Sequence, residues 1–256
     1  MKLATWNVNS IRSRLPRLLP WLEEHSPDVV CLQETKVVDE EFPKAPLEAL
    51  GYHVEAFGQK AYNGVAFLSK ERPRDVVRGF PEDGSEAQKR LLGARFGDLQ
   101  VLNLYVVNGK EVGSDKYEFK LRWLDRLRAF IPETFDLSRP LCVTGDFNIT
   151  FDDRDVYDPE KWRGRILCSE PEREALLGIC SLGLHDALRK FTEEGGHYTW
   201  WDFRTRAFRG DRGLRIDHFL LSAPALEACT GFEVDRAARA GEKPSDHAPV
   251  LLDLDL

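Results

Sequence analysis

The segment EKPSDHAPVLLDLDL, residues 242–256, sets an acid and an imidazole side by side at the entrance to an apolar run. Successive strand side chains point to opposite faces, so Asp246 and His247 can meet one ligand only from a bend. Pro244 and Pro249 supply that bend. Taken alone, an Asp–His pair before a proline-bounded strand is more often a capped turn than a site, so its meaning depends on the rest of the chain. Short apolar runs recur at 2–8, 28–33, 64–69, 99–106, 140–146 and 217–222, with 248–256 as the last. Helical spacings lie between some of them, at Leu15, Leu18, Leu19 and Leu22 and again at Tyr117, Leu121, Leu124, Arg128 and Ile131. Ser169 and Glu172 form a capping-box pair ahead of REALLGICSLG, and Gly183 is placed to close that helix. Strands and helices mixed along one chain predict an α/β sandwich, with residues 1–256 as a single domain. Turn-rich stretches at 36–46, 78–90, 107–115, 150–166 and 193–213 are long enough to carry function.

The ends of the apolar runs are polar in a consistent way. Asn7 ends the first and Glu34 follows the second, while Tyr105 ends LNLY and Asp146 and Asn148 follow LCVTG. Asp217 opens DHFLL, and Asp246 and His247 precede the last strand. One such residue reads as a cap or a turn former. Four acids, two asparagines, a histidine and a tyrosine at strand ends ask for a common partner, because an unpaired buried charge is costly. In packed sheets such ends converge at one rim.

Composition removes several classes of function. At 42% hydrophobic and 31% charged residues, the 256-residue chain reads as an ordinary soluble globule with enough length for a full core. The opening MKLATWNVNS has no long apolar run, so it reads as neither a signal peptide nor a membrane anchor, and it starts directly at the first strand. The five cysteines are scattered without a CxxC pair, which argues against a zinc site or a disulfide framework and fits a reducing cytoplasm. Cys31 and Cys142 lie in apolar runs and read as core. A net charge of −7 argues against a protein that coats nucleic acid indiscriminately, yet it suits a site where several carboxylates surround a cation.

The chain resembles, from Met1 to its C-terminus, the exonuclease III family of apurinic/apyrimidinic endonucleases within the endonuclease/exonuclease/phosphatase superfamily. The resemblance rests on TWNVNSIRSRL (5–15), PDVVCLQETK (27–36), GQKAYNGVAFLSK (58–70), RGFPEDGSEAQKR (78–90), NLYVVNG (103–109) and KYEFKLRWL (116–124). It continues in GDFNI (145–149) and YTWWDFR (198–204). The pairing of GLRIDHFLLS (213–222) with EKPSDHAPV (242–250) is far more specific than LQET or GDFN alone. The resemblance implies a four-layer α/β sandwich of two packed mixed sheets flanked by helices. It implies a divalent metal, Mg2+ with Mn2+ as a substitute, and hydrolysis of a DNA phosphodiester to leave a 3′-hydroxyl. On that likeness Glu34 is the main metal carboxylate, with Asn7 and Asp246 shaping the same site and Asp146, Asn148 and His247 also counted among the metal-site residues. Asp146 orients and deprotonates water, Asn148 holds that water or a phosphate oxygen, and His247 donates to the scissile phosphate. Asp217 fixes the His247 ring, and Tyr105 donates to the phosphate or the leaving oxygen. Hard oxygen ligands suit magnesium or manganese.

The substrate implied is double-stranded DNA with abasic sites, nicks or 3′-blocked ends, acted on by a monomer. TWWDFRTRAFRGDRGLR (199–215) interleaves aromatics with arginines, a composition suited to phosphates and base stacks. Trp200 is expected in the core there, and Trp201, Arg204, Arg206 and Arg209 at the DNA, joined by Lys36, Lys60 and Arg90. Two departures from the family pattern stand out. Val107 and Thr150–Phe151 replace prolines common in relatives, which predicts looser placement of Tyr105 and Asn148. The segment 162–173, with bulky Arg163 and Arg165 around Gly164, bears on whether a flipped-out abasic sugar is admitted. Abasic incision and 3′-end trimming without it both remain open. A phosphatase of inositol or lipid phosphates would share Glu34, Asp146, Asn148, Asp246 and His247, but GLRIDHFLLS and the arginine/aromatic loop speak against it. A non-catalytic DNA binder would be expected to lack at least one catalytic residue, and none is missing.

Overall fold

The computed structural model describes residues 1–256. β1 (Lys2–Asn7) leads through α1 (Ile11–His25) to β2 (Val29–Gln33), which pairs with it in parallel. α2 (Lys44–Glu48) and β3 (His53–Phe57) precede β4 (Val65–Ser69), which lies antiparallel between β2 and β3. β5 (Arg74–Arg78), β6 (Leu91–Phe96) and β7 (Leu99–Tyr105) form a meander. From β7 the chain passes through α3 (Asp115–Thr134) to β8 (Leu141–Asp146), parallel to β7. α4 (Pro159–Trp162), α5 (Glu170–Cys180), β9 (Leu184–Asp186), β10 (Asp217–Ser222), α6 (Ala223–Ala228), β11 (Cys229–Val234) and β12 (Val250–Leu254) complete it. One sheet has the order β11-β12-β1-β2-β4-β3 and the other β5-β6-β7-β8-β10-β9. Each half therefore builds a parallel pair around one long helix and flanks it with antiparallel strands.

Side-chain alternation sorts the residues into layers. Along β2, Val29 and Cys31 face the opposite sheet, while Val30 and Leu32 face α1. Leu18, Trp21 and Leu22 of α1 pack on Ala4, Trp6 and Val30. Leu124, Leu127 and Ile131 of α3 and Leu176 and Ile179 of α5 pack on Leu102, Leu104 and Val143. Between the sheets, Leu3, Cys31 and Phe67 meet Val101, Cys142 and Phe219. The order helix, sheet, sheet, helix is the four-layer sandwich expected. No helix is long and apolar enough to cross a membrane.

Every apolar run read as a strand contains one, and 217–222 matches β10 end to end. The strands that went unread are β3, β5, β6, β9 and β11, which include all four sheet edges. Edge strands are half-solvated, as the exposed ends of β5 and the mixed pattern of β11 illustrate, so they lack a continuous apolar run. β6 is interior but is interrupted by Gly93, where a Cβ would come within 2.9 Å of the Phe135 ring. The capping box forms as read: Ser169 N donates to Glu172 Oε2 at 3.1 Å at the start of α5.

The interior between the sheets is not wholly apolar. Gln33 Nε2 donates to Thr5 Oγ1 at 2.9 Å and across the gap to Asn103 Oδ1 at 2.8 Å. Asn103 Nδ2 donates back to the carbonyls of Leu32 and Ala66 at 3.1 and 3.0 Å. Gln33 is fully buried beside Asn7 and Asn103 one inward-facing position below Tyr105, so these amides fix how the two sheets sit at the rim. Asn103→Leu would remove three hydrogen bonds from the core, at about 1 kcal/mol each. Urea unfolding should show a loss of about 3 kcal/mol with an unchanged m-value. A midpoint equal to that of the wild type would contradict this role.

Candidate active site

The strand period and register explain why distant residues meet. On β7, β8 and β10 the register sets Tyr105 opposite Asp146 and Asp146 opposite Asp217, a single row across three strands. On the facing sheet Asn7 pairs with Gln33, and Glu34 follows directly. Asn7 joins the two sheets: its Nδ2 donates to Glu34 Oε1 at 3.0 Å and to Asp146 Oδ2 at 2.8 Å. The turn before β12 supplies the remaining members. Ser245 Oγ donates to the Asn7 carbonyl at 2.6 Å, and Trp6 Nε1 donates to the His247 carbonyl at 3.2 Å. From that bend Asp246 turns one way, accepting from Asn9 Nδ2 at 2.8 Å and Trp200 Nε1 at 3.1 Å. His247 turns the other way, its Nδ1 2.9 Å from Asp217 Oδ2 and its Nε2 3.7 Å from Asp146 Oδ2.

The backbone around this rim is strained. Asn9, Ser10, Glu34, Lys36 and Asn148 all have positive φ, at 44°, 90°, 51°, 57° and 51°. Non-glycine residues visit this region at a cost of order 1 kcal/mol each and persist only when their surroundings over-determine them. Here the surroundings are explicit: Ser10 N donates to the Glu34 carbonyl at 2.7 Å, and Lys36 N donates to the Asn63 carbonyl at 2.9 Å. Asn148 is held from every side. Its Nδ2 donates to the Val106 carbonyl at 3.0 Å, its Oδ1 accepts from Asn108 Nδ2 at 2.8 Å, and its own N–H donates to Asp146 Oδ1 at 2.9 Å. The looser placement expected from the missing prolines is not found. Thr150 N donates to the Leu167 carbonyl at 2.8 Å, and Tyr105 N donates to the Arg90 carbonyl at 2.8 Å.

Electrostatics divides the rim into two functional halves. Burial raises the Asp146 carboxyl, and with Asp217 adding to it against the pull of His247 it reaches about 7. Burial alone would lower His247, but Asp217 and Asp146 outweigh it and push the imidazole up to about 10. A ring held cationic at neutral pH thus lies beside a carboxyl raised toward neutrality, a pairing that could serve as a donor next to a base. At the other half Glu34 stays below its usual range, because Lys36 at 2.7 Å and Asn7 outweigh its burial. Tyr105 is raised well above its ordinary value by burial and by the charges of Glu34 and Asp146, so its phenol remains a proton donor.

The residues present fit a hard divalent cation. Glu34, Asp146, Asp217 and Asp246 crowd one rim, with Lys36 paired to Glu34 and His247 to Asp217. One buried oxygen, Asp217 Oδ1, has no hydrogen-bond partner. Ligand atoms of Asp146, Asp217 and His247 lie within 4.8 Å of one another. His247 Nδ1 is already engaged by Asp217, however, which leaves Glu34 and Asp246 as the carboxylates free of an imidazole. Asn7 presents its nitrogen to the carboxylates and its Oδ1 to Asn9 N at 3.0 Å, so it serves here as a bridge. The five thiols are free, and none belongs to this rim.

The DNA-facing readings need three corrections. Trp201 is fully buried, whereas Trp200 is half-exposed and reaches Asp246; adjacent side chains alternate, and the assignment between them was inverted. Arg90 is buried, its guanidinium 4.5 Å from the Tyr105 ring centroid and its Nη1 donating to the Tyr105 carbonyl at 3.1 Å, so it supports the tyrosine instead of facing solvent. Arg215 is buried between Asp155 and Asp186 and belongs to the core. Lys60, Arg204, Arg206 and Arg209 are exposed as expected, and Lys36 points into the rim, donating to Asn9 Oδ1 at 2.5 Å. Asn9, Asn108, Thr199 and Trp200 are site residues that the sequence reading missed. The signals were faint: Asn9 repeats the Asn7 position two residues on, and Asn108 sits before Gly109, whose φ of 89° makes the turn.

Comparison with known proteins places this geometry. The family pattern described as "Endonuclease/Exonuclease/phosphatase family" matches residues 4–247. An exodeoxyribonuclease III from Haemophilus influenzae is 38% identical, with 98% of each chain covered. A solved 3′ phosphatase from Neisseria, bound to product DNA hairpin, superposes with a TM-score of 0.96 at 42% identity over 100% of both chains. An AP endonuclease from Archaeoglobus fulgidus does so with a TM-score of 0.96 at 40% identity, again over 100% of both.

The His247 assignment makes a pH prediction. Its folded value of about 10 lies above the 6.5 of a free imidazole. The pairing therefore contributes fully below pH 6.5 and is lost as pH rises toward 10. The Tm difference between the wild type and His247→Gln should be largest near pH 6 and should shrink steadily toward pH 10. A difference that grows with pH would contradict the buried imidazolium.

Proposed function

The chain belongs to the exonuclease III branch of the endonuclease/exonuclease/phosphatase family, and on that premise we propose that it hydrolyses DNA phosphodiesters at abasic sites and 3′ ends, leaving a 3′-hydroxyl. The observation that carries this reading is the Tyr105–Asp146–Asp217 row, closed by His247 and joined through Asn7 to Glu34. It offers a base, a cationic donor and a neutral phenol donor around one point. A second carboxylate centre sits alongside. Residues 1–256 act in this reading as one catalytic domain, a monomer working in the cytoplasm on double-stranded DNA.

Each residue has a separate task. Asp146, near neutrality and held by Asn7 and by the Asn148 N–H, accepts the proton of the attacking water. The Asn148 amide orients that water or a non-bridging phosphate oxygen. His247, kept protonated by Asp217 and fixed in ring orientation by the same contact, donates to the other phosphate oxygen. Tyr105 donates toward the leaving oxygen. Glu34 would hold Mg2+, or Mn2+ in its place, with Asp246 and Asn7 shaping the surroundings and Asp146 and Asn148 bordering it. When bound, the ion supplies charge neutralisation at the phosphate and the leaving oxygen. Around the rim, exposed Arg204, Arg206 and Arg209 would take backbone phosphates, with Trp200 and Phe203 at the lesion. Arg163 and Arg165 are exposed and a Cβ at Gly164 would meet nothing within 4 Å, which supports room for an abasic sugar.

The test uses two end-labelled duplexes with Mg2+, one with an internal abasic site and one with a 3′-phosphate at a nick. Both should be cut, both should survive in EDTA, and Asp146→Asn should lower kcat by about 10³-fold, within the range general bases contribute. Activity on the second duplex alone would restrict the enzyme to 3′ ends. Release of phosphate from soluble inositol phosphates with neither duplex touched would overturn the DNA assignment.

A further inference from the structure

Lys120 lies on α3, one turn from its start, and is fully buried. A buried lysine is rare and needs a reason. Its ammonium has three protons and three acceptors. It donates to the Asn148 carbonyl at 2.7 Å, to the Asn108 carbonyl at 3.3 Å and to Glu172 Oε1. Burial lowers its affinity for the proton, and the neighbouring Glu172 carboxylate opposes that shift. The two carbonyls belong to the loops that leave β7 and β8 at the rim, so one charged group clamps both. Asn148 is the residue whose backbone is left-handed, at φ 51°. Its neighbour Ile149 is held likewise, its carbonyl 2.7 Å from His218 Nε2.

Glu172 extends the same contact outward. Its Oε1 accepts from Leu167 N at 3.1 Å, and its Oε2 accepts from Ser169 N at 3.1 Å and Ser169 Oγ at 2.6 Å. Leu167 in turn receives Thr150 N, two residues beyond Asn148. The ion pair is therefore anchored in the wall segment and ends on the catalytic loop. An ordinary core would fill this space with apolar side chains at no loss of stability, since buried ion pairs are weak stabilisers. What an apolar side chain cannot do is donate to the Asn148 carbonyl.

We propose that Lys120 is a positioning residue for the reaction, its ammonium fixing the left-handed turn that presents the Asn148 amide to the water and the phosphate. This rests on the function proposed above. A donor displaced by about 1 Å in such a role costs on the order of 10²-fold in rate without a matching loss of binding.

Three variants separate positioning from stability. Lys120→Met leaves Glu172 buried and unpaired and should melt well below the wild type. Lys120→Met combined with Glu172→Gln removes both charges and should recover most of that Tm. Its kcat on the abasic duplex should nonetheless stay about 10²-fold down, with KM and the Kd for DNA in EDTA within about 3-fold of the wild type. Glu172→Gln alone keeps the donor and an acceptor for it, and should retain kcat within about 3-fold while losing stability. A double variant with wild-type kcat, or kcat following Tm across the series, would overturn the proposal. Should the double variant not fold, folded Glu172→Gln decides: near-wild-type kcat supports Lys120, and a 10²-fold loss overturns it. Failure of the wild type on both duplexes would instead remove the functional reading.

Discussion

The Asn7 amide is the contact on which the site depends. Its two protons go to Glu34 on one sheet and Asp146 on the other, so one side chain fixes the distance between the two halves of the rim. That bridge can exist only because the sheets are held in register beneath it. Gln33 and Asn103 do this with hydrogen bonds that apolar packing alone would not direct. The core between the sheets is otherwise Val, Leu, Phe and Cys, which tolerate sliding far better than an amide pair does. The polar layer therefore converts a generic sandwich into one with a fixed active-site width.

The rim assembled above it is electrostatically unequal. On the β8–β10 side, Asp217 and Asp146 hold His247 cationic against its burial. On the β2 side, Lys36 and Asn7 hold Glu34 below its usual range against its burial. Phosphodiester hydrolysis needs these two environments, one moving a proton and one tolerating a cation, within reach of the same phosphate. Positive-φ residues gather where the two meet, and the hydrogen bonds that enforce them come from the loops that the family resemblance singles out. Lys120 lies below the same rim, its ammonium donating to the carbonyl of Asn148, whose N–H donates to Asp146 Oδ1.

Much of this was legible in the sequence, for an identifiable reason. Strand ends are short-range features: an apolar run of five or six residues followed by Asn7, Glu34, Asp146 or Asp217 can be read locally. The EKPSDHAPV bend likewise gave up its two opposing side chains because two prolines fix its shape. Edge strands were not legible, since β5 and β11 are half-solvated and carry no continuous run. Nor was the choice between Trp200 and Trp201, because a bend shifts alternation by one residue and the sequence does not say where the bend falls. Arg90 and Arg215 were misread for a third reason. An arginine in a turn-rich stretch looks alike whether it faces phosphate or is buried under Tyr105 or between Asp155 and Asp186, and only tertiary pairing separates the two. Lys120 carried no local signal at all, as its partners lie 12, 28 and 52 residues away.

The division of the rim into a cation half at Glu34 and a proton-transfer half at Asp146, Asp217 and His247 is the point most exposed to test. Anomalous diffraction from crystals soaked in Mn2+ addresses it most directly. A peak in contact with Glu34, with His247 and Asp217 still paired, is the expected result. A peak held by Asp146, Asp217 and His247 without Glu34 would contradict it, and would make the histidine a metal ligand instead of a donor to phosphate.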